Sequence, residues 1–184
     1  MNLNSMKIHI QWRSMMEENG AAYQYPARFS RYLRERYSVP AIYRWRVQEA
    51  QPDERKTVYI GEAEDLIRRI QRVRTPSKRW DTNKRLKQIF DGKISAGRTV
   101  ILDVADFEPF ELNGVSFSSK ELGDQFKRKA LENLILCFAQ AEGQELLNKQ
   151  VDPVQKAVNA VEKLPRNQQR QLLTKLQQRV GKGR

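Results

Sequence analysis

The chain has 184 residues, 39% hydrophobic and 30% charged, which suits one domain with a sizeable core, alone or with small appendages. Thirty-four Lys and Arg face 22 Asp and Glu, and the formal net charge of +12 favours a polyanionic partner through counterion release and steering. A single cysteine, Cys137, excludes a disulfide framework or a Cys-rich zinc site, and a single histidine, His9, argues against His-based catalysis; no secretory or membrane-spanning stretch is visible, so a cytoplasmic protein without membrane partners is expected.

Residues 1–38 read as a basic arm or helix ahead of the main domain. Ile8, Ile10 and Trp12 alternate as in a short strand, with a helical arm as the other reading. Pro26 is placed to open a helix with Phe29, Leu33 and Tyr37 on one face. Residues 41–48, AIYRWRVQ, alternate and are rich in β formers; residues 56–61, KTVYIG, read as their antiparallel partner across a polar loop. Gly61 is expected to let the chain turn tightly into the next helix. That helix runs from about Asp65, with Leu66, Ile67, Ile70 and Val73 as one apolar stripe. Arg69 falls at the stripe's border, while Arg68 and Arg72 point away. A second helix is predicted over 82–91, with Gly92 and Gly97 breaking its pattern. Residues 98–108 read as a central strand, and 110–119 as a hairpin around Asn113-Gly114. The longest helix spans 121–141. Its predicted buried side carries Phe126, Ala130, Leu131, Leu134, Ile135 and Phe138, with Glu132 away from the middle of that side. From Pro153 two helices follow. The expected fold class is α+β: a small mixed or antiparallel sheet of about three core strands flanked by helices, with extra N- and C-terminal helices. The expected domains are the arm (1–38), a main domain (39–150) and a basic helical extension (151–184).

The basic charge is clustered. Residues 66–98 hold eleven Lys/Arg against two Asp/Glu, and residues 152–184 hold eight against two. Such clusters are electrostatic footprints for phosphate backbones. Candidate nucleic-acid contacts are Arg44, Arg46, Arg68, Arg72, Arg74, Lys78, Arg79, Lys84 and Arg85. Tyr43, Tyr59, Arg69 and Glu132 form a set suited to phosphodiester hydrolysis. A carboxylate can hold a divalent cation, an arginine can neutralise a pentacovalent phosphate, and a tyrosine can orient or deprotonate water. Singly these are weak signals, since strand tyrosines are more often structural and helix-surface glutamates are usually just solvated.

Two triplets, Ala41-Ile42-Tyr43 and Tyr59-Ile60-Gly61, stand 16 residues apart from tyrosine to tyrosine, and Arg69 follows Gly61 by eight positions. With VYIGEAEDLIRRI over 58–70 and a glutamate-bearing helix downstream, residues 39–148 resemble the GIY-YIG endonuclease superfamily. The resemblance implies a DNA endonuclease using one Mg²⁺ or Mn²⁺. It implies that Tyr43 is the general base, that Tyr59 places water or phosphate, and that Arg69 stabilises the transition state. Glu132, in KALENLI, would hold the metal, and Asn148, in ELLNK, would match the asparagine near the domain's end. Charges of nearby arginines and of the ion are expected to favour the Tyr43 phenolate.

The chain departs from the pattern at Ala41, which replaces glycine, and at Val73, where relatives often carry His or Tyr. Glu62 stands where some carry Lys, and reads as a second-sphere acid or as nothing functional. The long segment between Tyr59 and Glu132 is similar to restriction-type members, and double-stranded DNA is the expected partner. A palindromic target would imply a homodimer, which the sequence does not dictate. Two other readings stay open: an inactive nucleic-acid-binding module on the same fold, for which Val73 speaks, and a nuclease toxin or repair enzyme with another nucleic-acid target.

Overall fold

The computed structural model describes residues 10–48, 56–77, 82–112 and 115–148. Among these the chain is α+β. The strands are β1 (Ile10–Ser14), β2 (Ala41–Gln48), β3 (Thr57–Ala63), β4 (Thr99–Phe107), β5 (Phe110–Leu112), β6 (Val115–Phe117) and β7 (Glu145–Leu146). The helices are α1 (Arg31–Tyr37), α2 (Leu66–Arg74), α3 (Thr82–Ser95) and α4 (Gln125–Ala141), with a 3₁₀ turn over Ser119–Gly123. The main sheet is mixed and five-stranded, in the order β1-β4-β2-β3-β7; β5 and β6 form a separate two-stranded pair. Only the β3–β7 contact is parallel.

Alternation along β2 divides the core in two. Ala41, Tyr43, Trp45 and Val47 join Tyr59, Ala63, Val100 and Leu102 in a core with the apolar sides of α1, α2 and α3. Ile42, Val58, Ile60, Ala105 and Phe107 join the apolar side of α4 and Phe117 in the other. The α2 stripe is as its spacing predicts: Leu66, Ile67, Ile70 and Val73 are all buried. The Asp65 side chain accepts from the Arg68 N–H at 2.8 Å and caps the helix, which fixes the register of the arginines behind it.

Several expectations are corrected. The sheet has five strands, not three, because both chain-distant edges add to it. β1 pairs antiparallel with β4, and Met15, Tyr23, Tyr25, Phe29 and Leu33 are buried in the first core. Residues 10–37 are therefore built into the compact unit that runs to Lys149, not a separate arm. α1 starts at Arg31, not Pro26, because Ser30 supplies the cap by accepting from the Leu33 N–H at 3.2 Å. α3 runs through Gly92 to Ser95, and the chain leaves it at Gly97, whose φ of +75° suits glycine. On α4 the buried positions are Arg128, Leu131, Ile135, Leu136 and Ala139, while Phe126 is 40% exposed. Glu132, four residues after Arg128 and three before Ile135, therefore belongs to the sheet-facing side. The Asn113-Gly114 turn and the predicted helices from Pro153 lie outside the described residues, as does His9.

Candidate active site

Tyr43 stands opposite Gly61 in the β2–β3 register, and Tyr59 stands opposite Trp45. Both phenols face the α2 side of the sheet, with ring centroids 6.3 Å apart. A Cβ added to Gly61 would lie 2.6 Å from Tyr43 Oη and 2.7 Å from its Cζ. The glycine is thus required because the Tyr43 ring lies on it, not because the chain turns there. Gly61 is inside β3 and the helix begins five residues later, at Leu66.

Arg69 reaches this pair from α2. Its Nη2 donates to Tyr59 Oη at 3.4 Å, and its Nη1 donates to the Asn83 side-chain oxygen on α3. Glu132, on α4, is near enough that its charge acts on both phenols. Two strands and α2 therefore bring together Tyr43, Tyr59 and Arg69, and α4 carries Glu132 within electrostatic reach of both phenols.

The electrostatics set the protonation states. Burial pushes the Tyr43 hydroxyl well above the ordinary phenol range; Tyr59 and Glu132 add to this, against Arg69. Tyr59 is raised for the same first reason, again against Arg69. Both are neutral phenols at physiological pH, because burial outweighs the arginine charge expected to favour the Tyr43 phenolate. Burial lowers the Arg69 pKa, but the two phenols raise it by more, so Arg69 stays a cation. Tyr43 Oη is buried and makes no hydrogen bond among the described residues. A buried hydroxyl without a partner, near the Arg69 guanidinium, is a costly arrangement in a finished core.

Asn148 does not join this cluster as a reactive group. Its side chain accepts from the Ile60 N–H at 3.0 Å and donates to the Ile60 carbonyl at 2.7 Å. It continues the hydrogen bonding of β7 along the free edge of β3, between Tyr59 and Gly61, so it holds the strand that holds the tyrosines. Val73 is completely buried in the α2 stripe.

Beside Arg69 lies a groove of about 430 Å³ lined by Arg68, Arg69 and Arg72 of α2, Glu62 of β3, and Gln125 and Arg128 of α4. Of the basic residues expected to contact nucleic acid, Arg68 and Arg72 line it. Arg68 pairs with Glu64 at the exposed surface, and Arg72 is exposed. Others are committed within the fold. Arg44 Nε and Arg46 Nε both donate to Asp103 Oδ2 at 2.9 Å, and the Arg44 guanidinium stacks on Trp12. Arg74 donates to the Pro26 carbonyl and covers Phe29, and Arg85 donates to the Leu147 carbonyl at 2.5 Å. Lys84 lies half-buried on α3, and Lys78 and Arg79 fall outside the described residues.

Two residues near the site were not among the sequence candidates. Asn83 orients Arg69, and nothing in a helix N-terminal Thr-Asn pair marks it. Arg128 is buried and ion-paired to Glu62; its only signal is its place in the apolar periodicity of α4. Among the described residues no three His, Cys, Asp or Glu side chains cluster as metal ligands, and no helix is long and apolar enough to cross a membrane. Comparison with family models, with curated proteins and with solved structures returns no match.

Proposed function

We propose that this chain is a metal-dependent DNA endonuclease with a GIY-YIG-like site. One observation carries the reading: Tyr43, Tyr59, Arg69 and Glu132, chosen from positions spread over 90 residues, converge around two neutral phenols and one guanidinium. Arg69 makes no ion pair among the described residues, so its charge is free to meet a phosphate, and Asn83 and Tyr59 fix its orientation. Such preorganised donors stabilise charge that develops in a transition state.

The donor set fits a hard divalent ion. One carboxylate suits Mg²⁺ or Mn²⁺, which keep water and substrate phosphate in the rest of their shell. Glu132 would hold the ion, which when bound would neutralise phosphate charge and acidify water. The protein's own groups do the remainder. Arg69 binds the scissile phosphate, Tyr59 keeps Arg69 in place, and the orphaned Tyr43 hydroxyl orients the attacking water. Asn148 keeps the β3 edge from shifting under the tyrosines.

A second reading, a nucleic-acid-binding module without turnover, draws on the complete burial of Tyr43, which keeps its hydroxyl from bulk water. One incubation decides between them. The purified full chain is mixed with duplex DNA, single-stranded DNA and RNA, with and without Mg²⁺, beside Glu132→Gln. Metal-dependent cutting of duplex DNA, abolished in a folded Glu132→Gln that still binds, is the expected result. Binding without cleavage in every condition establishes the second reading, and cleavage by Glu132→Gln at the parental rate removes the metal assignment.

A further inference from the structure

We propose that the Glu62–Arg128 ion pair is the register lock that holds Glu132 at the tyrosine site; the inference rests on the reading of Glu132 as the metal ligand. Arg128 sits in the buried stripe of α4 with its side chain 4% exposed, in a row otherwise made of Leu131, Ile135, Leu136 and Ala139. A desolvated guanidinium is tolerable only where its donors are satisfied. Here Nε donates to Glu62 Oε2 at 2.8 Å, and Nη1 donates to the carbonyls of Leu122 at 2.6 Å and Gly123 at 2.9 Å. One side chain thus ties together β3, the 3₁₀ turn ahead of α4, and α4 itself.

Stability alone does not call for this arrangement. Well-packed apolar residues in place of a buried ion pair are often neutral or stabilising, and the best-attested use of such pairs is to specify register. What is registered here is visible in the numbering. Glu62 directly follows Gly61, on which the Tyr43 ring rests, and lies three residues beyond Tyr59. Glu132 lies one helical turn beyond Arg128. An apolar contact would let α4 slide or rotate slightly on β3 with little change in buried area. A charged fork on one carboxylate and two carbonyls does not. A misplacement of about 1 Å can cost on the order of a hundredfold in rate. The pair also cancels its own charge, which leaves Arg68, Arg69 and Arg72 as the cations of the groove.

The test uses full-length protein and four variants: Glu62→Gln, Arg128→Lys, the apolar pair Glu62→Leu with Arg128→Met, and Glu132→Gln. Folding is checked by circular dichroism and thermal melting. Mn²⁺ uptake is read from loss of the free-ion electron paramagnetic resonance signal, and single-turnover cleavage is measured at saturating DNA. Wild type should take up Mn²⁺ and Glu132→Gln should lose it. The apolar pair should melt at or near the wild-type temperature, yet bind Mn²⁺ about tenfold more weakly and cut at least tenfold more slowly. Arg128→Lys, which keeps the charge but not the fork, should fall between them. If the apolar pair recovers stability, Mn²⁺ affinity and rate together, the ion pair is merely structural and the proposal is overturned. Should the apolar pair not fold, Glu62→Gln takes its place: unchanged Mn²⁺ affinity and rate in that folded variant overturn the proposal equally. Wild type that takes up no Mn²⁺, or Glu132→Gln that takes it up normally, overturns the metal reading itself and the lock with it.

Discussion

The two faces of the central sheet both hold arginines out of full contact with water, and they treat them in opposite ways. On the α4 face, Arg44 and Arg46 share the buried carboxylate of Asp103, and Arg128 has Glu62. On the α2 face, Arg69 is held by a side-chain amide oxygen and a phenol, both neutral. The guanidiniums of the first face are consumed by the fold, whereas the charge of Arg69 is oriented but not cancelled. A count of basic residues cannot tell these apart; partner chemistry can. Neutral partners alone do not mark a site, since Arg74 and Arg85 are held by carbonyl oxygens within the fold; Arg69 differs in lining the groove beside two buried phenols.

Two substitutions break that contrast most directly. Arg69→Ala should lower single-turnover cleavage by on the order of 3–4 kcal/mol, as for other preorganised donors, with folding intact. Asp103→Asn should do the reverse. It leaves two guanidiniums at 20% and 33% side-chain exposure without their shared carboxylate, and should cost about 3 kcal/mol of stability in urea denaturation. The folded fraction of that variant should still cut at close to the parental rate. A folded Arg69→Ala with normal turnover, or an Asp103→Asn that is stable but dead, would mean that the two faces have been assigned the wrong way round.

This division explains what was readable from the sequence. The α2 stripe was legible because 66, 67, 70 and 73 repeat at helical spacing, and β2 was legible because its residues alternate. The four converging residues were legible because two triplets and an arginine stand at fixed intervals. What escaped depends on pairing across long separations. The strand at Ile10 and Trp12 was one of two readings of that stretch, but its pairing with β4, about 90 residues away, was not visible. Asp103 meets Arg44 and Arg46 from 59 and 57 positions off, so the two arginines read as free charge. Glu132, expected away from the middle of the buried side, lies nearer that middle for a related reason. Arg128, a charged residue, occupies the stripe, and counting only apolar positions rotates the face away from its true centre.

Gly61 sharpens the comparison at the strand that both faces share. Gly61→Ala places a methyl 2.6 Å from Tyr43 Oη on the α2 face. The expected cost is about 1–3 kcal/mol of stability, with Tyr43 displaced and cleavage reduced. Tyr43→Phe should not rescue it, because Tyr43 Cζ is itself 2.7 Å from the new atom. Full rescue by Tyr43→Phe, measured as the urea midpoint of the double variant, would show that the hydroxyl alone makes the clash.

The faces should also differ in alkali. Tyr23, Tyr25, Tyr43 and Tyr59 are all buried in the α2-side core, and burial raises the pKa of each. Below about pH 10 these phenols are neutral in both the folded and the unfolded chain, so their contribution is fully present. Above it the unfolded chain releases protons that the fold retains, and stability falls by about 1.4 kcal/mol per phenol for each further pH unit. Tyr43→Phe removes an unpartnered hydroxyl, so it should leave stability near neutrality little changed and make the alkaline fall shallower. An unchanged slope, from urea midpoints taken between about pH 9 and pH 11, would mean that Tyr43 releases its proton as readily in the fold as in the unfolded chain, so that burial does not raise its pKa.

The smallest effect is the most discriminating, because it compares two neighbouring arginines on one helix. Arg68 and Arg69 carry the same charge and line the same groove. Arg69 is half-buried and turned to Tyr59; Arg68 is exposed and paired with Glu64 at 2.9 Å, four residues earlier. Exposed pairs of this kind contribute about 0.2–1 kcal/mol, and salt screens what they do at a distance. Arg68→Ala should therefore leave the fold and the single-turnover rate near normal. It should weaken DNA binding modestly, and that deficit should shrink as salt rises, since a contact with phosphate is paid for in released counterions. Arg69→Ala should instead fail to cut even when DNA is saturating, at any salt that permits binding. The comparison needs only the two purified variants, a salt titration of affinity, and a single-turnover rate for each. If Arg68→Ala loses turnover while Arg69→Ala keeps it, both being folded, then the cation that meets the phosphate is the exposed one. Neutral partners around Arg69 would then be part of the core and not of a site.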